Sequence, residues 1–314
     1  MLKKVSLVVL IAFYLFAGEL SAQKKMFKSH AFAAQGKSVL TDEEEEEEEE
    51  GDEDMFRGLS FGLNIGSYFA SKATANFYNG AGAVELLENP NDVQLFSIYE
   101  RLNILLPDQR NQLLDGLGAT DFTVPNDSYP INMRYSPSFL IGMHIKYNFS
   151  RYAALVFNVN AMRVKTTDQF TLQLFGRGQQ VNALDDIQLY AITGNEQRFN
   201  FNLGYRQGWM SNDYTNFYLQ PAVSMLGVQV ERNQIFIGNQ TYDLFLGAAN
   251  PQQVFDYQPR TDVSFGWSIG TGFEFWFKEK YSFDIGFTLA RENVVMITYE
   301  DKVWNKWLSA TFTL

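Results

Sequence analysis

The chain has no cysteine among its 314 residues, which excludes a disulfide framework and any thiolate metal site. Histidine is almost missing as well. His30 and His144 are the two present, too few for a histidine metal cluster, so neither a metal nor another cofactor is expected. After the N-terminus no stretch of about 20 apolar residues occurs, so no helical membrane span is encoded. Basic residues number 25 against 36 acidic ones, a balance that gives no reason to expect a nucleic-acid partner.

What the chain does have is aromatic residues, 16% of the total, and a two-residue rhythm. In the first segment Leu59, Phe61, Leu63 and Ile65 alternate with Ser60, Gly62, Asn64 and Gly66. The same alternation recurs over 139–149, 155–161, 198–206, 217–225, 263–277, 282–289 and 307–314. Lipid tails offer the backbone no hydrogen bonds, so only helices and closed barrels cross a bilayer. A period of two selects the barrel. The expected fold is all-β, an eight-stranded antiparallel transmembrane barrel over residues 56 to 314, with outer-membrane lipid around it. Pro221 falls inside the fifth segment, where a bulge or local break is expected because proline lacks a ladder donor.

Soluble sandwiches also alternate, so the connections must decide the solvent. Ser150 and Arg151, Ser211 to Asp213, and Lys278 to Lys280 make short links, whereas 70–132, 164–196, 230–261 and 291–303 are long. Short turns alternating with long loops are the pattern of outer-membrane barrels, with the short turns periplasmic. An even strand number then places both termini in the periplasm. Tyr147, Phe149, Tyr152, Tyr214, Phe277 and Tyr281 are expected as the lower aromatic girdle, and Trp267, Tyr299 and Trp304 as the upper one.

The N-terminal 22 residues read as a secretory signal peptide: Lys3 and Lys4, an apolar stretch from Val5 to Ala17, then Leu20-Ser-Ala22 before Gln23. Residues 23–55 are expected to be a disordered periplasmic tail. Its core is the eight glutamates Glu43 to Glu50, whose mutual repulsion keeps the run extended. Thirteen of the 36 acids precede residue 55, leaving 23 against 19 bases in the barrel, so the acidity belongs chiefly to the tail. The run between Glu43 and Glu50 can act as a solubilising spacer, bind a basic partner protein, or hold calcium loosely.

An eight-stranded barrel is just filled by its own side chains. Lys146, Arg206, Glu274 and Asp284 fall on inward positions about four residues from short turns, at similar height. Buried charges must pair, so these four are expected as an interior cluster closing the barrel floor, with Gln220 and Asn202 adding hydrogen bonds. A proton or ion path is the competing reading. His144 lies inward beside Gly142 and Lys146 with no serine pattern around it, so no catalytic site is assigned and the chain is not read as an enzyme.

In the first long loop, Val93, Phe96, Tyr99 and Leu102 stand at helical spacing, widened by Leu95, Ile98 and Leu105. Pro107 opens a second helix, with Gly116 as its expected stop. This apolar stripe must be buried, either against the barrel rim as a lid or against a partner subunit; Phe96, Tyr99 and Leu102 are the partner-binding candidates, with Glu43 and Glu50 in the tail. Phe236, Tyr242, Phe245, Phe255 and Tyr257 add aromatics to a later loop.

The segments Phe56-Arg-Gly-Leu-Ser-Phe-Gly-Leu-Asn-Ile-Gly66 and Tyr135-Ser-Pro-Ser-Phe-Leu-Ile-Gly-Met-His-Ile-Lys-Tyr147 resemble the opening strands of the PorT-like outer-membrane β-barrel proteins of Bacteroidota. Leu-Ser-Ala before Gln23 likewise resembles signal peptides of that phylum. The resemblance implies a barrel without enzymatic activity, some relatives of which serve type IX secretion and gliding. The helical first loop and the polyglutamate tail depart from it. Two functions stay open: a non-catalytic scaffold or accessory subunit of an envelope complex for secretion or outer-membrane protein assembly, and a barrel that conducts small solutes or ions.

Overall fold

The computed structural model describes residues 57–82, 94–176, 186–212, 214–246, 261–277, 281–297 and 299–314. The expected signal peptide, the acidic tail with Glu43 and Glu50, the turn 278–280, and Phe255 and Tyr257 lie outside the described residues.

Eight long strands form the barrel: β1 (Gly58–Phe69), β4 (Ser138–Asn148), β5 (Ala153–Phe175), β6 (Ile187–Asn212), β7 (Thr215–Ile237), β10 (Thr261–Phe277), β11 (Tyr281–Met296) and β12 (Tyr299–Thr313). Each pairs antiparallel with its neighbour, and β10 pairs with β7 while β12 pairs with β1. The ring is therefore closed. At the seam Leu314 N–H donates to Phe61 O at 2.7 Å, and Phe61 N–H donates back to Leu314 O, so the last residue also finds a backbone partner.

The alternation sorts side chains as the period requires. Leu63, Phe139 and Val223 are 61%, 64% and 64% exposed, whereas Asn64, Leu140 and Ser224 beside them are buried. An outer face this apolar, continuous around a closed ring, is one that lipid solvates. Pro221 is absorbed without interrupting β7: it pairs with Ile269 of β10, and the β6 ladder omits Tyr205 and Arg206 while keeping its register. Register shifts occur elsewhere, between Asn195 and Glu196 and between Met210 and Asn212.

Two of the long links, 164–196 and 291–303, are largely strand among the described residues. β5, β6 and β7 run well past the apolar belt, and β11 extends to Met296 while β12 begins at Tyr299, so most of 291–303 is ladder. Above the belt, β5 to β7 carry two small strands, β3 (Asp121–Thr123) pairing with β5 and β8 (Gln240–Asp243) pairing with β7. Two further strands, β2 (Gln94–Leu95) and β9 (Phe245–Leu246), pair with each other. Together with the helices they form a distal cap.

Among the described residues, three α-helices belong to that cap: α1 (Lys72–Ala75), α2 (Ile98–Asn103) and α3 (Pro107–Leu117). Ser97 caps α2 by accepting from Glu100 N–H, and the Glu100 carboxylate accepts from Ser97 N–H in return, a reciprocal capping box. The helix therefore starts at Ile98, later than the stripe suggested, because Gln94 and Leu95 are drawn into pairing with β9. Gly116 lies inside α3, and the stop is Gly118, whose φ of 61° is left-handed and accessible to glycine.

The helical stripe is buried within the chain itself. Ile98, Leu102, Leu105, Leu113 and Leu117 pack with Phe170, Leu172, Leu174, Ile192, Ile235 and other residues from the inner faces of the extended strands. Leu102 is fully buried, so its assignment to partner binding is corrected: it belongs to the cap core. Tyr299, expected in a girdle, packs against the same core and donates its hydroxyl to Ala73 O at 3.3 Å.

Leu102→Ala is expected to destabilise the cap by about 2–5 kcal/mol, read as faster amide exchange in α2 and α3, whereas Tyr99→Ala, at a half-exposed position, should cost under about 0.5 kcal/mol.

Candidate functional site

The barrel interior holds two layers of buried charge with a polar stretch between them. The layer near the short turns arises from a conflict. Glu274 and Asp284 stand directly opposite each other on β10 and β11, and like charges so placed repel. Two cations reach across to them. Arg206 Nη1 lies 2.7 Å from Asp284 Oδ2 and 3.7 Å from Glu274 Oε2, and Lys146 Nζ contacts Glu274 Oε1. All four side chains are buried, and their charges sum to zero.

The same layer is packed as well as paired. Arg206 donates from Nε to Gln220 Oε1 at 3.1 Å, and its guanidinium stacks 3.9 Å from the centre of the Tyr218 ring. Tyr218 crosses Gly272 and Gly286, where a Cβ would meet its hydroxyl at 2.8 and 2.5 Å; glycine there makes room for the ring. Lys146 Nζ lies 4.7 Å from the centre of the Trp276 ring. Asn202 takes no part in this layer. It sits higher, donating to Asn200 and accepting from Ser268 Oγ at 3.3 Å.

Between the layers, Asn64 donates to Asn158 and Asn160 at 3.1 Å and accepts from Thr311 at 2.7 Å. His144 is buried with Nδ1 2.7 Å from Asn158 Oδ1. Because Asn158 Oδ1 only accepts, Nδ1 carries a proton in this contact. Asparagine amides, the hydroxyls of Ser268, Ser309 and Thr311, and Arg206 line the cavity that His144 shares, and Asn158 is the side chain that its ring meets. The cavity here leaves about 30 Å³ for the centres of water molecules, room for roughly two or three.

The second layer, near the distal cap, was hidden from sequence reading. Arg198 is fully buried and binds Glu196 Oε1 through Nη2 at 2.5 Å and through Nε at 2.6 Å. Its Nη1 donates to Tyr68 at 3.0 Å, and its Nη2 donates to Thr74 at 3.1 Å. Glu292 accepts from Ser224 at 2.5 Å, Asn200 at 2.6 Å and Asn305 at 2.8 Å. Arg198 was already an inward position in the alternation. Glu196 and Glu292 were missed because both fall in segments read as loops, and carrying the alternation two residues further would have found Glu196.

This layer also holds a plug. The segment of α1 and the short helical turn Asn76–Tyr78 lies at the distal end of the barrel: Tyr78 and Tyr135 donate to Glu196 Oε2 at 2.7 and 3.2 Å, and Ser71 N–H donates to Asn305 Oδ1 at 3.0 Å. Burial holds the Tyr78 phenol well above its ordinary range, so it remains a donor. Its ring rests on Gly194, where a Cβ would collide with it.

The remaining partner candidates separate. Tyr99 is 50% exposed. Phe96 is half-buried, with its N–H donating to Leu244 O at 2.9 Å.

Lys146→Met should cost about 3–5 kcal/mol by leaving Glu274 short of a cation, and adding Glu274→Leu should recover most of it; denaturant unfolding of the folded barrel reads both. Gly194→Val should dislodge Tyr78 and expose the segment around α1 to protease, which limited proteolysis of the reconstituted protein would show.

No family model matches the chain, and no curated protein matches it. Solved structures are similar in barrel architecture. Neisserial surface protein A has a TM-score of 0.38 and 9% identity, covering 82% of this chain and 98% of that one. The outer membrane protein OprG from Pseudomonas aeruginosa has a TM-score of 0.35 and 8% identity, covering 82% and 97%. The translocator domain of the autotransporter NalP from Neisseria meningitidis has a TM-score of 0.32 and 7% identity, covering 95% and 96%.

Proposed function

We propose that this chain is a closed, non-catalytic outer-membrane barrel, with both termini periplasmic, that anchors its distal cap and acidic N-terminal segment for contact with other envelope proteins. The observation that carries this reading is the filled interior. Two layers of buried charge cross the barrel, the lower one fully paired and the upper one pairing Arg198 with Glu196 while hydrogen bonds hold Glu292; the segment around α1 plugs the distal end, and the cavity between has room for only a few water molecules. A solute-conducting barrel needs a continuous path that this packing opposes.

The contact surfaces are those the cap leaves outside. Tyr99, Leu106, Ile131 and Leu189 are exposed on it, and a basic partner suits the glutamate run of residues 43–50. Membership of a secretion or outer-membrane assembly complex, as in PorT-like proteins, is part of the proposal. It draws support from the two resembling segments, whose described residues lie largely in the adjacent strands β1 and β4.

Purification in mild detergent is expected to bring stoichiometric envelope partners. They should be lost on deleting residues 42–54 or on Tyr99→Glu, changes that leave the cap core intact. A monomer with reproducible conductance in planar bilayers would overturn the proposal.

A further inference from the structure

The outward row of each strand shows where the apolar belt stops and which residues succeed it. On β5, Leu155, Phe157, Val159 and Ala161 give way to Arg163 and Lys165. On β11, Phe287 and Leu289 are followed by Arg291, and on β12, running the other way, Leu308 is preceded by Lys306, Trp304 and Lys302. β7 carries Glu231 and Arg232 at its register shift. The outward row at the turn end closes mainly on aromatics, among them Tyr147, Phe149, Trp209, Tyr214 and Tyr281. The outward strand rows at the two rims thus differ, with Arg57 and Arg151 the described cations beside the turns.

Two of the distal cations, Arg291 and Lys306, lie against rings at girdle depth. Arg291 lies 5.4 Å from the centre of the Trp304 ring, Lys306 Nζ lies 6.0 Å from that of Phe69, and Trp304 packs edge-on against Trp267 at 5.4 Å. Tryptophan settles at the headgroup level of a bilayer, so a guanidinium on its face is at the level of lipid phosphates. On β5 to β7, Lys165 pairs in register with Asn195, which pairs with Arg232, placing two cations roughly 10 Å apart across three strands. Glu231 binds Arg163 at 2.5 Å, and Glu300 accepts from Asn293 at 2.6 Å. Against the six cations these two acids leave the collar positive.

We infer that Arg163, Lys165, Arg232, Arg291, Lys302 and Lys306 form a collar that binds the phosphates of anionic lipid headgroups in the leaflet at the distal rim. The inference rests on the barrel's spanning a membrane and adds the lipid chemistry it selects. Lipid is the occupant because the collar continues the apolar belt directly, so acyl chains and phosphate are engaged by one surface. Basic residues close to an anionic surface act additively.

The test uses the full chain, folded in detergent and returned to vesicles of phosphatidylcholine alone or mixed with phosphatidylglycerol. Native mass spectrometry then reads which lipid the protein retains. Wild type should retain phosphatidylglycerol over phosphatidylcholine by at least about fivefold, and glutamine at all six positions should abolish the preference. Should that variant fail to fold, R163Q/K165Q/R232Q and R291Q/K302Q/K306Q are each expected to lower the preference in part. Equal retention by wild type and variants, or loss of the preference in 10 mM inorganic phosphate, which would mark a free-anion site, overturns the inference. Failure of wild type to enter pure phosphatidylcholine vesicles, seen as complete alkaline extraction, would instead overturn the barrel reading beneath it.

Discussion

Everything in this protein depends on one requirement of its backbone: within lipid, each N–H and C=O must find its partner inside the chain. An open sheet has two unpaired edges, so the sheet must close, and here β12 returns to β1 down to Leu314. Closure with eight strands sets the radius, and the radius sets how much the interior can hold. Glycine at inward positions is what lets rings as large as Tyr218 cross that narrow space. The outer face is then free to be uniformly apolar, and the inner face must accommodate every polar side chain the alternation sends to it.

Filling so narrow a space with charge is stable only when the charges find each other. Glu274 and Asp284 face one another across a ladder that fixes their Cα positions, and Arg206 and Lys146 supply the compensating cations from strands on other parts of the ring. At the distal end Arg198 is the centre of a similar arrangement, but its partners include the plug itself through Thr74 and, by way of Glu196, Tyr78. The upper layer therefore joins the cap to the barrel, and the lower one braces the wall alone.

The alternation made the barrel legible in the sequence, since a strict period of two decides which residues face lipid. It also placed Lys146, Arg206, Glu274 and Asp284 on one face at one height, and the structure brings them into contact. Legibility ended where the apolar half of the pattern ended. Beyond the membrane the strands continue with polar outer residues such as Arg163 and Gln197, so the pattern that marks a lipid-facing strand disappears while the ladder persists. That is why 164–196 and 291–303 read as loops, and why Glu196 and Glu292 went unassigned. The burial of Leu102 was equally beyond reach, because helical spacing shows that a stripe must be covered without showing by what.

The ion pairs of the lower layer join residues remote in sequence, Lys146 and Glu274 being 128 positions apart and Arg206 and Asp284 78, and Arg198, though paired with nearby Glu196, donates to Tyr68 across 130. None of these remote partners meets until strands from both halves of the ring are in place. A half-formed sheet would thus carry unmatched charges on the face destined for the interior, and burying them alone is prohibitive. Contacts between such distant segments are expected to slow folding. The lower-layer charges therefore disfavour a partly closed sheet, and closure of the ring is expected to come late in assembly.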